Sequence, residues 1–477
     1  MGIVETVDNF FTSINGYVWW AALILLVVFG IFFTIKLKGL QILKINETSK
    51  LSFSGIQEGK TKSKVSSFEA FCIGMGARIG VGNIAGVATA IVTGGPGAIF
   101  WMWVFAIIGS ATSFMESTLA QVFKEKKEDG QYYGGPAYYA TKGLGSRPLG
   151  IFVAIMLILT FGIGFVGVQA TNATSALTGA FDFGNNALVF GLIIMAVAGI
   201  IIFGGVKRIA RFSTKVVPLM ALLWIIFAFV AIALNWQNIG NAFGMIFEYA
   251  FDAPALVGGG LGTAMIIGMR RGIFSNEAGL GSIANVAASA DTSHPAKQGM
   301  IQSFGVLVDT LIVCTVTALV VLSFGTFESI YALDLSGANL VQAVMSSTAI
   351  GSAANYIIAG FMLIFAFTSM IGYYTMSESN VRFIKDNKMT INIVRIIVLL
   401  VILLSSLVST SVLDHISDTF NALMGLVNIL IVAVLSPIAF AVYKDYRAQK
   451  KAGIEEPEFH RDSIKDVKHT ENITEWE

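Results

Sequence analysis

The chain has 477 residues, 55% hydrophobic and 13% charged, with mean hydropathy +0.74 and formal net charge +1. Soluble proteins carry about 25% charged residues, so this composition predicts an all-α polytopic membrane protein, and the near-neutral balance leaves no nucleic-acid footprint. The two cysteines, Cys72 and Cys314, lie in apolar stretches, which argues against a disulfide framework or cysteine metal site and for small buried hydrophobes.

Residues 1–16 are weakly amphipathic and free of Lys and Arg. Met1-Gly2 with Thr6 fits a myristoylation pattern, but so short a pattern is usually accidental. The first long apolar run starts at Tyr17 without a basic flank, unlike a cleaved signal peptide. Apolar runs of membrane length, about 20 residues, lie near 17–35, 68–93, 97–123, 148–173, 186–205, 216–234, 256–290, 296–323, 353–378, 391–411 and 416–442. These eleven are a leading helix and core helices 1 to 10. Residues 443–477 read as a polar, mobile, cytoplasmic tail.

Positive charge sets the orientation. Lys36, Lys38, Lys44, Lys50, Lys60, Lys62 and Lys64 crowd the first loop. Lys124, Lys126, Lys127, Lys142 and Arg147 fill the third, and Lys207, Arg208, Arg211 and Lys215 the fifth. Segments 174–185, 235–255 and 324–350, on the other side, hold no Lys or Arg. The chain therefore reads as a multi-pass protein of the cell membrane, N-terminus outside and tail in the cytoplasm.

Arg78, Arg270 and Arg271 escape this rule, and all three lie in Gly-rich motifs inside apolar spans. The first, FCIGMGARIGVGNIAGVATA over 71–90, holds Gly74, Gly76, Gly80, Gly82 and Gly86. Each interior Gly costs a helix roughly 1 kcal/mol against Ala, and a mid-bilayer Arg about 2.5–3.5 kcal/mol. A packing helix gains nothing from that. A helix broken at the membrane centre does, because its free N–H and carbonyl groups hold ions and polar solutes.

The second motif, GMRRGIFSNEAGLGSIANVAASA over 268–290, echoes the first. GNIAGVA (82–88) aligns with GSIANVA (281–287) at five of seven positions. The copies are five core helices apart, an odd number, so they enter the membrane from opposite sides. This is the trace of an inverted repeat with a binding site between two broken helices: 68–234 is the first five-helix unit and 256–442 the second, after a leading unit 1–67. The residues alone predict a secondary transporter.

GARIGVGNIAGVATAIVTGGPGAIFWMW, YYGGPAYY (132–139) and MRRGIFSNEAGLGS together resemble the alanine-or-glycine:cation symporter family. The resemblance covers nearly the whole chain. It implies a LeuT-type five-plus-five inverted repeat with one extra leading helix, and sodium-coupled uptake of a small neutral amino acid, alanine or glycine.

A zwitterion needs N–H donors for its carboxylate, best at the positive end of a half-helix, and oxygens for its ammonium. Sodium needs about five or six hard oxygens, by analogy with other hard cations. Core helix 1 offers donors at Gly80 and Gly82 and carbonyls at Gly76, Ala77 and Ile79. GVGN resembles the break of LeuT-type transporters, making Asn83 a cation ligand; the plain alternative is a helix–helix hydrogen bond. Core helix 6 is expected to unwind around Ser275, Asn276 and Glu277, with Phe274 capping the substrate. Ser275 sits where that fold places a binding hydroxyl, and S-N-E also suits an N-cap. By the same likeness Thr368 and Ser369 join the Gly76 and Ile79 carbonyls in a second sodium site, although such pairs in membrane helices usually bond their own backbone. Met370 is placed in the pocket lining. Gln169 touches either substrate or another helix.

Asp309, near mid-membrane, is functional by default, ligating sodium near Asn83 or neutralising an arginine. Glu116, Glu277 and Asp309 are the carboxylates offered to Arg78, Arg270 and Arg271, either as static struts or as gates. TGGPGA (93–98) makes a tight turn, and YYGGPAYY is an interfacial helix or an inner gate element. Gly59-Lys60-Thr61 imitates the end of a phosphate-binding loop, but Ser54 stands where its first Gly belongs and no strand precedes it. No catalytic Ser–His–Asp, His-rich or Cys-rich grouping exists, so no enzyme is expected. A proton-coupled carrier using Glu116, Glu277 or Asp309, and a passive channel, are the competing readings.

Overall fold

The structure, a computed structural model, describes residues 3–58, 64–181, 186–252, 257–258, 261–408 and 410–476. The Met1-Gly2 pattern, the Gly59-Lys60-Thr61 motif and the loop lysines Lys60 and Lys62 lie outside them.

The leading helix α1 (Ile3–Lys36) takes in most of the short N-terminal segment, and α2 (Leu40–Leu43) and α3 (Ile45–Glu58) follow. The first broken span is α4 (Ser67–Arg78), a π-helical turn over Gly82–Gly86, and α5 (Val87–Gly94); its halves bend by 49°. After α6 (Ala98–Val122), a hairpin of β1 (Glu125–Lys126) and β2 (Tyr132–Tyr133) leads into α7 (Pro136–Leu144). One long span joins α8 (Arg147–Leu157), a π segment Ile158–Phe165 and α9 (Val166–Ala180). Next come α10 (Asn186–Ile202), α11 (Gly205–Leu234) and the connecting α12 (Ile239–Glu248).

The second broken span is α13 (Leu261–Asn276) with α14 (Ser282–Ala288). α15 (Pro295–Leu307), a π segment Val308–Cys314 and α16 (Thr315–Leu322) form one span; α17 (Phe327–Tyr331) and α18 (Gly337–Ser346) fill the following connection. α19 (Ala353–Ile384), α20 (Lys388–Ser405) and α21 (Thr410–Lys451) complete the bundle.

Among the described residues, eight helices are long and apolar enough to cross a bilayer, and the bent pair α4–α5 makes nine. The 17-residue α10 and the arginine-bearing α13–α14 pair stand at the other two expected positions. α4, α6, α14, α15 and most of α19 are buried. Trp20, Ile24 and Val28 on α1, Ile193 and Ile200 on α10, and Ile396 and Leu400 on α20 face outward. Lipid is as apolar as these side chains, so nothing drives them inward.

Three expectations change. The basic run Lys207–Lys215 lies in the first turns of α11, not in a loop. YYGGPAYY does not lie along the protein surface as an amphipathic helix would: Tyr138 and Tyr139 are fully buried, and the Tyr139 hydroxyl bonds Asn428 Oδ1 on α21. The tail is docked. Trp476 Nε1 donates to the Gln121 carbonyl at 2.9 Å, Phe459 N–H donates to Ser293 O at 3.0 Å, and Phe459, Ile464, Ile473 and Trp476 are buried. Four apolar residues spread through a polar segment suffice to pin it.

On this tail face α4 is tied down. Val65 bridges Ala290, Asp291 N–H donates to Val65 O at 2.8 Å, and Lys64 pairs with Asp291 at 3.0 Å. Ser66 and Glu69 form a reciprocal cap at the start of α4, and Glu69 also pairs with Lys207 at 2.8 Å.

Candidate functional site

α4 ends in a tight turn. Ile79 has φ −75° and ψ 79°, and Gly80 N–H donates to Arg78 O at 2.8 Å, which is an inverse γ-turn. Gly80 N–H also reaches Asn83 Oδ1 at 2.9 Å, and Val81 N–H donates to Gln169 Oε1 at 3.0 Å. A Cβ on Gly80 would stand 2.5 Å from Ser369 Oγ and 2.9 Å from Gln169 Oε1. Only glycine lets α9 and α19 approach the break this closely.

The second break begins later than expected. Ser275 and Asn276 are the last helical residues of α13, and the chain turns through Glu277 (φ +57°), Gly279 (+87°) and Gly281 (+76°). Gly281, not Ser275, is the N-cap of α14. Glu116 on α6 braces this turn: it accepts from Gly279 N–H at 3.3 Å, Gly281 N–H at 2.9 Å and Asn428 Nδ2 at 2.9 Å. Ser282 Oγ donates to Glu277 Oε2 at 2.5 Å.

The two breaks meet at Asp309, in the π turn between α15 and α16. Its carboxylate accepts from Asn83 Nδ2 at 2.6 Å, Ser275 Oγ at 2.8 Å and Thr310 Oγ1 at 3.1 Å. Cys314 Sγ lies 3.4 Å from Asn83 Nδ2 and 3.3 Å from Ser275 Oγ. Asn276 Nδ2 donates to Thr310 Oγ1 at 3.0 Å. Asp309, Asn83, Asn276 and Thr310 have no exposed surface. The Asp309 carboxylate and the Ser275 and Thr310 hydroxyls are oxygens that suit a hard cation, whereas Asn83 and Asn276 turn their amide nitrogens toward them and their oxygens to the Gly80 and Ala278 N–H groups.

α19 lies against α4. Ser369 Oγ donates to Gly76 O at 2.9 Å and Ala77 O at 3.0 Å, and the Tyr373 hydroxyl reaches Ala77 O at 3.1 Å. Thr368 Oγ1 instead bonds its own helix, at Phe365 O (3.0 Å) and Ile364 O (3.2 Å). Met370 is buried next to this pair. Phe274 stacks on Phe165 with ring centroids 4.7 Å apart. A Cβ on Gly82 would meet its ring at 3.3 Å. Phe274 also lines a cavity of about 220 Å³ together with Gly82, Val168, Asn172, Arg271 and Ser336–Asn339.

The arginines do not pair as the sequence suggests. Arg78 makes no direct ion pair among the described residues: it donates to Asn276 O at 2.9 Å, Ser113 Oγ at 3.1 Å and Gln302 Oε1 at 3.2 Å. It thereby ties the end of α4 to the end of α13, within the field of Glu277, Asp309 and Glu116. Arg270 pairs with Asp418 of α21 at 2.5 Å, bonds Asn15 at 2.9 Å and lies over the Trp19 ring. Arg271 lines the same cavity as Phe274.

Sequence reasoning missed Cys314, Thr310, Asn428, Tyr373 and Asp418. Cys314 had a signal, its five-residue spacing from Asp309, but that spacing is informative only once a π turn is known.

The fold matches a crystal structure of MhsT in complex with L-phenylalanine, with TM-score 0.56 over 80% of this chain and 98% of that one at 15% identity. It is the LeuT-type five-plus-five fold. Among proteins of similar sequence, the probable sodium/glutamine symporter GlnT of Bacillus subtilis is 45% identical over 94% of this chain and 93% of its own length. The amino-acid carrier protein AlsT of the same organism is 40% identical over 98% of both chains. The sodium/alanine symporter AgcS of Methanococcus maripaludis is 36% identical over 92% of this chain and 97% of its own. These relatives are transporters, and this chain is one, not an enzyme. Residues 4–461 match the sodium:alanine symporter family, and the chain belongs to it.

Proposed function

We propose that this protein carries a small neutral amino acid, alanine or glycine, into the cell together with sodium by alternating access. The observation that carries the reading is the convergence of both helix breaks on Asp309, through Asn83 and Ser275. Sodium sits at Asp309, Asn83 and Ser275, and a second ion at the Gly76 and Ile79 carbonyls with Ser369 and Thr368. An ion there takes over the Gly76 carbonyl that Ser369 now occupies, which also frees the Ala77 carbonyl, and Thr368 must rotate off its own helix.

The amino acid lies beneath Phe274, against Met370. Its carboxylate takes N–H donors near Gly80–Gly82, including the Val81 N–H now held by Gln169. Its ammonium takes carbonyls freed at Ala77 and around Asn276. Sodium orders this site, so each ligand raises the affinity of the other by one common factor. Arg78, Glu116 and Glu277 brace the breaks, and Arg270 with Asp418 is a strut to the leading helix.

The repeat units are 68–234 and 256–442 within eleven spans, with the N-terminus outside and the tail in the cytoplasm. In that orientation the cavity lined by Phe274 opens outward while the Val65–Ala290 contact closes the cytoplasmic side.

Glutamine is the second reading, favoured by the 45% identity to GlnT. Labelled alanine uptake by reconstituted protein, competed with glycine and with glutamine, with and without sodium, tests both. Competition by glycine but not glutamine supports the first reading; the reverse supports the second.

A further inference from the structure

The last turns of α1, the short α2 and the end of α21 enclose a groove of about 840 Å³ on the tail face, outside the transport site. Its base is apolar, with Phe32, Leu37, Leu40 and Phe440. Pro437, inside the continuous helix α21, also lines the groove. Its rim carries Lys36, Lys38, Lys44, Lys444 and Arg447. Arg447 is paired with Glu47 at 3.3 Å. The four lysines have no ion-pair partner among the described residues, and Lys36 lies over the Phe32 ring. Beside the groove, Ile42, Leu43 and Ile45 are exposed, Leu43 by 75%. Four lysines without ion-pair partners among the described residues, on a groove that also carries apolar side chains and beside outward apolar residues, make a surface with two chemistries side by side.

We propose that this groove seats an anionic phospholipid, its phosphodiester held by Lys36, Lys44 and Lys444 and an acyl chain lying along Phe32, Leu37 and Phe440. Charge complementarity selects the headgroup, since basic pockets between membrane helices bind anionic lipid headgroups. A free phosphate has no use for the apolar base, and a zwitterionic lipid leaves the lysines uncompensated. The lipid fills the end of a seam that the leading helix and α21 already form by direct packing, Phe33 against Phe440 with ring centroids 6.2 Å apart.

Native mass spectrometry of the full-length chain, titrated with phosphatidylglycerol or phosphatidylcholine, tests this. One phosphatidylglycerol is expected to stay bound at collision energies that strip the others. Its affinity is expected to fall at least tenfold in Lys36→Gln/Lys44→Gln/Lys444→Gln and to hold in Lys385→Gln/Lys388→Gln. Equal loss in the control pair, equal retention of phosphatidylcholine, or displacement by millimolar inorganic phosphate overturns the proposal. Should the triple variant not fold, Leu43→Trp in the otherwise unchanged chain replaces it. Its fluorescence in excess of the unmodified chain's should be quenched by brominated phosphatidylglycerol in preference to brominated phosphatidylcholine, and equal quenching of that excess overturns the proposal.

Discussion

Asn83 Nδ2 lies 2.6 Å from Asp309 Oδ1, joining the first broken helix to a carboxylate that the last residues of α13 also reach, through Ser275. Asn83 Oδ1 meanwhile holds Gly80 N–H at 2.9 Å, so one amide fixes both the turn and the acid. Asn83→Ala is therefore expected to weaken sodium and amino acid together, about tenfold each, or ~1.4 kcal/mol. Sodium and substrate titrations of uptake check this. Unchanged sodium dependence would remove Asn83 from the site.

Gly80 has no room for a methyl group, with Ser369 Oγ and Gln169 Oε1 at 2.5 and 2.9 Å from the position of a Cβ. Gly80→Ala is expected to cost about 1–3 kcal/mol of stability by overpacking and to cut uptake more than tenfold at unchanged surface expression. Wild-type uptake would show that the close approach of α9 and α19 is dispensable.

Arg270 and Asp418 are placed as a strut. Asp418→Asn keeps the shape and removes the charge, so a loss of about 1.5–3 kcal/mol is expected, the range for hydrogen bonds to charged groups, with substrate KM unchanged. Thermal unfolding in detergent and uptake kinetics separate this from gating. A changed transport rate without loss of stability would make the pair a gate.

Lys124 is buried under the docked tail, its Nζ 3.0 Å from Ala290 O and over the Tyr132 and Trp476 rings. Burial pushes its ammonium from 10.5 down to about 7. Above pH 10.5 the lysine is neutral whether the tail is docked or free. As pH falls toward 7 the freed lysine takes up a proton that the buried one resists, so docking weakens through that window and levels off below it. Proteolysis of the tail should accordingly quicken between pH 9 and pH 7, and this dependence should vanish in Lys124→Met. The same rate at both values in the unmodified chain would refute it.

Much of the site was legible because its physics is local. Glycine density with a mid-span arginine marks the break at Gly80–Asn83, and a lone Gln169 or Asp309 in an apolar run has to find a polar partner. What was not legible depends on distance or on rare backbone geometry. Asp418 reaches Arg270 from 148 residues away along the chain, with no pattern linking the two. Cys314 comes to Asp309 through a π turn that the 3.6-residue period does not reveal. α13 runs through Ser275 and Asn276 because the positive-φ residues that turn the chain begin only at Glu277 and continue at Gly279 and Gly281. The tail reads as mobile because its four anchoring apolar residues follow no helical or strand period.

The most direct test is accumulation of labelled amino acid by proteoliposomes under an inward sodium gradient with no pH difference, comparing the unmodified chain with Asp309→Asn. The account predicts concentrative uptake that needs sodium and a sodium affinity at least tenfold weaker in the variant. Equal accumulation from a proton gradient without sodium, or an unaltered sodium response in Asp309→Asn, would contradict it.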